Sequence, residues 1–325
     1  MAGMCVVRDA FVEWARRFGH DETAVLERLQ DAAARHGRID RHDLHAIAEE
    51  FGRPVAAVTG AAGYYADLGA PRGTRHVRVC SGTSCFVSAG GHAVPLAEAA
   101  LGVPSGRTSA DGSVSLAEAH CLGYCYAAPT ALDGHTPVTG PGFADHLHCG
   151  PGPAPAPAIP FHVASRQAVV LAGLTGADRP WQVWPQVVRT GSATEVRAEV
   201  AVAGLRGRGG AEFPVAAKWR AAATGPAPRF VVANGDEGDP GSYCDRLLME
   251  RDPERVLEGL ALAGFATGAS RGVVFVRSEY PAAAATMGAA VEAARAAGHL
   301  GLGVHGSAVD FDVDVVQGAG SYVAG

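Results

Sequence analysis

The chain has 325 residues, 48% of them apolar and 18% charged, with a formal net charge of −6. Its length allows two domains, since one core rarely grows past roughly 250–300 residues, and the absence of clustered Lys and Arg excludes nucleic acid as a partner. No run of 18 apolar residues occurs, and the N-terminus MAGMCVVRDAFVEWARR carries charges where a signal peptide needs its apolar stretch, so no membrane insertion is expected and the chain reads as cytoplasmic.

Residues 1–70 read as a helical bundle. Asp21 can cap the segment ETAVLERLQDAAARHG, in which Val25, Leu29 and Ala33 recur at a spacing of four and Gly37 supplies the stop. Asp40 is the next cap, before a helix that lines up Leu44, Ile47, Ala48 and Phe51. A third short helix starts after Gly52, Arg53 and Pro54 and runs through Val55 and Val58.

Residues 71–149 read as a mixed α/β unit. TRHVRVC (74–80) has period two, with Val77 and Val79 on one face, and ends at Cys80. A helix is expected over 92–101, and DGSVSLAEAHCLGYC then brings a short strand and turn to a second cysteine pair. Residues 150–160, GPGPAPAPAIP, have the composition of an extended linker that buries no core. Residues 161–203 give no firm register. From there to 325 the pattern is strand, helix, strand, helix, strand: 229–234, 251–269, 272–280, 281–299 and 309–316. Strands spaced by helices of that length make an α/β sheet.

In a reducing compartment the seven cysteines read as ligands, free thiols or redox centres. Cys80, Cys85, Cys121 and Cys125 form C-x4-C, thirty-five residues, then C-x3-C. Structural zinc sites favour tighter knuckles, whereas a binuclear iron–sulfur cluster needs four thiolates on loops whose N–H groups reach the sulfurs; Gly82, Thr83, Ser84 and Gly123 supply such loops. Spacing alone favours iron without excluding zinc. VCSGTSC followed by DGSVSLAEAHCLGYCYAAP, behind a bundle ending in GYY, resembles the thioredoxin-like [2Fe–2S] subunit of the complex I NADH dehydrogenase module. That resemblance implies that Cys80 and Cys85 hold one iron and Cys121 with Cys125 the other. Tyr124 and Tyr126 flank a ligand and are expected to shield the sulfurs. HLHC (146–149) reads as solvated, and Cys244 as incidental.

LRGRGGAEFPVAAKW (205–219) sets close glycines beside Arg206, Arg208 and Lys218, which suits an anion, although glycine patterns of this kind arise by chance. VVANGDEGDPGSYCDRLLMERDP (231–253) then places Asn234, Asp236, Glu237 and Asp239 after a strand, where α/β sheets bind ligands. Together with the closing GAGSY, these segments resemble the flavin-binding subunit of complex I and of the diaphorase modules of NAD-reducing hydrogenases and NAD-dependent formate dehydrogenases. The resemblance implies an FMN pocket of Gly207, Arg208, Gly209, Lys218, Asn234, Asp236 and Glu237. It also implies that Phe213 stacks near the nicotinamide and that Glu237 meets the incoming NAD(H).

The family usually has glycine at Glu212, threonine-glycine at Val215 and Ala216, and glutamate at Asp239. The chain also stops before the family's glutamate pair and its [4Fe–4S] domain, so the expectation is a partial, C-terminally truncated FMN domain. The function implied is electron input to an NAD(P)H-linked oxidoreductase, partnered by other subunits of a hydrogenase, formate dehydrogenase or complex I-like assembly. The alternative is a [2Fe–2S] carrier or docking subunit that binds no flavin.

Overall fold

The structure is a computed structural model, described here for residues 22–69, 71–150 and 158–324. The expected cap Asp21 and most of the expected linker, 151–157, lie outside the described residues. Helix α1 (Glu22–His36) buries Val25, Leu29 and Ala32. Gly37, at φ 66°, turns the chain, and Asp40 then forms a capping box with Asp43 that starts α2 (Arg41–Glu50). Helix α3 (Val55–Tyr64) follows Pro54 and closes the bundle with Val58 and Ala62. Ala319, remote in sequence, completes this core, and the N–H groups of Ala66 and Asp67 donate to the carbonyls of Gly320 and Ala319.

Next come β1 (Arg75–Cys80), α4 (Thr83–Ser88), α5 (Ala93–Leu101), β2 (Arg107–Thr108), β3 (Val114–Ala119), β4 (Thr130–Asp133), β5 (Thr136–Thr139) and α6 (Phe143–Cys149). The sheet order is β2-β3-β1-β4-β5, with β3 parallel to β1 and the remaining pairs antiparallel. A parallel pair needs a crossover, and α4 and α5 provide it. Val77, Val79 and Leu116 pack against Ala97, Phe143 and Leu147. Arg75 ties β1 to β4 and α6 through the Asp133 carboxylate at 2.6 Å and the Leu147 carbonyl at 2.6 Å.

The second sheet is wholly parallel. Helices α7 (Trp184–Thr190), α8 (Ala193–Val202) and α9 (Val215–Thr224) precede β6 (Phe230–Gly235), α10 (Cys244–Arg251), α11 (Pro253–Thr267), β7 (Arg271–Val276), α12 (Pro281–Ala296) and β8 (Asp312–Gln317). The order β6-β7-β8 is filled by Trp184, Leu257, Val274, Val276, Met287 and Phe311. The α/β class thus stands, with corrections. The expected strand 272–280 stops at Val276, because Arg277 to Tyr280 turn toward the first sheet. A separate helix, α10, precedes Asp252. The unreadable stretch before α8 is ordered by the buried Glu258 carboxylate, which accepts from the N–H groups of Trp181, Val183 and Trp184.

Candidate cofactor sites

Register puts Cys80, the last residue of β1, opposite Ala119, the last residue of β3. Two parallel strands therefore release their loops at one place. Cys85 sits in α4, while Cys121 and Cys125 lie just past β3. Cys80, Cys85 and Cys121 are buried, Cys125 is half-buried, and all four are free thiols. Gly82 is obligatory, since a Cβ there would come within 2.1 Å of the His120 carbonyl oxygen.

The thiols form two hydrogen-bonded pairs. Cys121 Sγ and Cys125 Sγ are 3.6 Å apart. In that pair Cys121 keeps the proton and is pushed up, and its hydrogen bond brings Cys125 down to about 6, helped by the Gly241 N–H and the Ser84 hydroxyl. In the other pair the hydrogen bond to Cys85 and then burial push Cys80 up, while Cys85 is lowered first by Cys80 and then by the Thr130 N–H. Backbone N–H groups of Gly82 and Leu122 face Cys80, and Gly123 N donates to Cys121 Sγ at 3.3 Å.

This donor set fits a sulfur-rich anionic group shared by two cysteine pairs. Among the described residues, no three His, Cys, Asp or Glu side chains are arranged to hold a single metal ion. The hydroxyl of Ser81, next to Cys80, is buried without a hydrogen-bond partner among the described residues, and the Thr130 hydroxyl turns to the Cys85 sulfur. Such an orphaned donor calls for an acceptor. Tyr124 is buried in the same cluster as Cys80, Cys85, Leu122 and Leu132, and Tyr126 packs beside it. His146 and His148 instead hydrogen-bond the carbonyls of Gly142 and Ala100.

Sequence reasoning missed the far wall of this site, which comes from the second sheet. Arg246 of α10 is fully buried and donates to the Gly123 carbonyl at 2.6 Å and the Tyr126 hydroxyl at 3.1 Å, with its guanidinium 3.8 Å over the Tyr124 ring. Arg277 donates to the Cys121 carbonyl at 2.9 Å and the Glu237 carbonyl at 2.7 Å. The buried Tyr280 fills the space a side chain would take at Gly123, whose φ is 75°. The only local signal was two arginines in otherwise apolar or acidic surroundings.

The glycine-rich segment joins α8 to α9 as a narrow hairpin. Gly207 N donates to the Phe213 carbonyl at 2.9 Å, Arg206 Nη1 donates to the Glu212 carbonyl at 3.0 Å, and Val215 N donates to the Leu205 carbonyl. Gly209, Arg208 and Lys218 are exposed, as is Phe213. Arg208 and Lys218 have no side-chain hydrogen bond or ion pair among the described residues. Unpaired cations beside open glycine backbone fit a phosphate. Glu212, at φ 49°, holds the left-handed conformation that glycine adopts without penalty.

Asn234, Asp236 and Glu237 lie at the C-terminal end of β6. Asn234 Oδ1 accepts from Asp236 N, and burial raises the Asp236 carboxyl despite Arg277 at 4.0 Å. Glu237 is fully engaged. One carboxylate oxygen accepts from Ser242 Oγ, Cys244 N and Asp245 N, and the other from Arg246 N, so the side chain caps α10. No hydrogen bond joins the glycine hairpin to this strand end among the described residues. A cavity of about 360 Å³ lies elsewhere, lined by His36, Arg38, Arg72 and Thr108 among others, and touches none of these groups.

Two family models match. Residues 11–138 match the thioredoxin-like [2Fe–2S] ferredoxin, and residues 200–325 match the Nuo51 FMN-binding domain. The chain is 42% identical over 121 residues to an NADH-quinone oxidoreductase polypeptide of Aquifex aeolicus, covering 37% of this chain and 28% of that one. It is 45% identical over 139 residues to the HndC polypeptide of the NADP-reducing hydrogenase of Solidesulfovibrio fructosivorans, covering 42% and 28%. The chain therefore spans less than a third of the length of these relatives. The crystal structure of an air-oxidised NAD+-reducing [NiFe]-hydrogenase superposes with a TM-score of 0.73 at 25% identity, over 92% of this chain and 52% of the hydrogenase chain.

Proposed function

Starting from a chain that joins a thioredoxin-like [2Fe–2S] ferredoxin domain to a Nuo51-type FMN-binding domain, we propose that it is an electron-input component of an NAD(P)H-linked oxidoreductase. The observation that carries this reading is the convergence of two thiol pairs, backbone N–H donors and the orphaned Ser81 hydroxyl where β1 and β3 end. Cys80, Cys85, Cys121 and Cys125 are assigned as cluster ligands. Flavin and cluster, when bound, supply hydride acceptance and single-electron transfer.

The chain's own residues bind, orient and exclude water. Arg208 and Lys218, with Gly207 and Gly209, would meet the flavin phosphate, and Phe213, half exposed, offers a stacking face for the nicotinamide. Asn234 and Asp236 face the ligand end of the sheet. Glu237 shapes that end by holding the start of α10. Tyr124 and Tyr126 keep water from the sulfurs. The partners fitting this reading are subunits of a hydrogenase, formate dehydrogenase or complex I-like assembly, in the cytoplasm; among the described residues no helix is long and apolar enough to cross a membrane.

Two observations favour the second reading, a cluster carrier without flavin: the Glu237 carboxylate is already satisfied, and Glu212 brings a negative charge into the hairpin. Anaerobic purification followed by EPR of the reduced chain and fluorescence of released flavin separates them. A rhombic [2Fe–2S] signal with stoichiometric FMN supports the first reading, and the signal without FMN supports the second. Zinc with no chromophore refutes both.

A further inference from the structure

Two buried arginines flanking the second sheet hold no part of either cofactor in the reading above, yet both reach the cysteine loop of the first. Arg246 donates to the Gly123 carbonyl, pairs with Glu250 at 2.8 Å and stacks on Tyr124. Arg277 reaches the ligand residue itself. Its Nη2 donates to the Cys121 carbonyl at 2.9 Å, its Nη1 to the Glu237 carbonyl at 2.7 Å, and its Nε to Glu279 Oε2 at 2.9 Å. From the first sheet, Arg78 donates to the hydroxyl and carbonyl of Ser278, which holds the turn carrying Arg277.

Burying a guanidinium is expensive, and an apolar contact of the same volume would join two domains at least as well. The charge therefore calls for another explanation. Groups behind the ligands of a metal centre, and the hydrogen bonds and charges they bring, set its potential.

We propose that Arg277 is a positioning residue that raises the reduction potential of the centre held by Cys80, Cys85, Cys121 and Cys125, with Glu279 at 2.9 Å as the nearer of two counter-charges that limit the effect, Asp236 standing at 4.0 Å. This rests on the cluster reading given above. One-electron reduction, with the electron supplied by a mediator, adds one negative charge at a buried site. A fixed cation beside Cys121 stabilises that added charge, and Glu279 opposes it.

The test is a mediator titration of the full chain, purified anaerobically, followed by the EPR signal of the reduced state with iron measured alongside. Wild type, Arg277→Gln, Arg277→Lys and Glu279→Gln are compared. Arg277→Gln is expected to lower the equilibrium constant for reduction at least tenfold, 59 mV for one electron. Arg277→Lys should keep most of the wild-type value, and Glu279→Gln should shift it upward at least threefold. An intact signal whose potential stays within threefold of wild type in both Arg277→Gln and Glu279→Gln overturns the proposal and leaves the cluster reading standing. Should Arg277→Gln fail to fold or to load iron, Glu279→Gln decides alone, and the absence of an upward shift overturns the proposal. Wild-type chain lacking iron removes the cluster reading and this proposal together.

Discussion

Gly123→Ala tests the contact between the two halves of the molecule at a single atom. An added Cβ would lie 2.3 Å from Tyr280 Cε1, 2.8 Å from its hydroxyl oxygen and 2.9 Å from Cζ, at a residue whose φ is 75°. The left-handed backbone costs an L-residue about 1–2 kcal/mol. Displacing a buried ring costs about 1–3 kcal/mol more, and Tyr280 is 1% exposed, with no room to swing. The variant should therefore lose about 2–5 kcal/mol in urea unfolding. A cycle with Tyr280→Ala separates the two costs. In that background the ring is gone, and Gly123→Ala should cost only the backbone part, about 1–2 kcal/mol. Equal costs in both backgrounds would show that Tyr280 does not press on Gly123, and the packing argument would fail.

Glu237→Ala should destabilise the chain by about 1–2 kcal/mol, because the N–H groups of Cys244, Asp245 and Arg246 lose their acceptor; an unchanged urea midpoint would refute the capping role. Glu212→Gly relieves left-handed strain of about 1–2 kcal/mol against about 0.5–1 kcal/mol of added chain entropy. FMN or pyrophosphate affinity should rise in both Glu212→Gly and Glu212→Gln by fluorescence or calorimetric titration, and identical affinity in all three chains would dismiss the charge argument. His76 is held neutral by burial and then by Arg72 and Arg78, so it titrates at about 3. Its ordinary value is 6.5. The folded chain thus binds fewer protons between those values. Stability from this group is complete above pH 6.5 and declines toward pH 3, by up to about 1.4 kcal/mol per pH unit. His76→Asn should flatten that part of the stability profile, and an unaltered slope would show that the imidazole titrates freely.

Much of the first domain was legible because its signals are local. Period two through Val77 and Val79 delivers Cys80 to the end of β1, and Asp40 with Asp43 announces α2 three residues apart. The β4–β5 hairpin carries such a signal in Asp133-Gly134, where Gly134 takes φ 60°. Elsewhere the organising contacts are distant. The stretch before α8 waits on Glu258, more than seventy residues on. Helix α10 hid behind a glycine-rich run that reads as a turn until Glu237 is seen to cap it. Most opaque was the wall of the cysteine site. Arg246 finds Gly123 across 123 residues, and Arg277 finds Cys121 across 156. No periodicity or spacing encodes such a pairing.

The Gly241 N–H faces the sulfurs of both Cys121 and Cys125, although it belongs to the other half of the chain. The affinity of the thiols for whatever they hold and the affinity of the two halves for each other are then coupled quantities. By linkage, any factor by which docking tightens the grip on the bound group equals the factor by which that group tightens docking. Loading the thiols and joining the halves then favour each other. Release of the bound group would be felt at the strand end of β6, through Arg277 and Glu237, as a loosening of the seam.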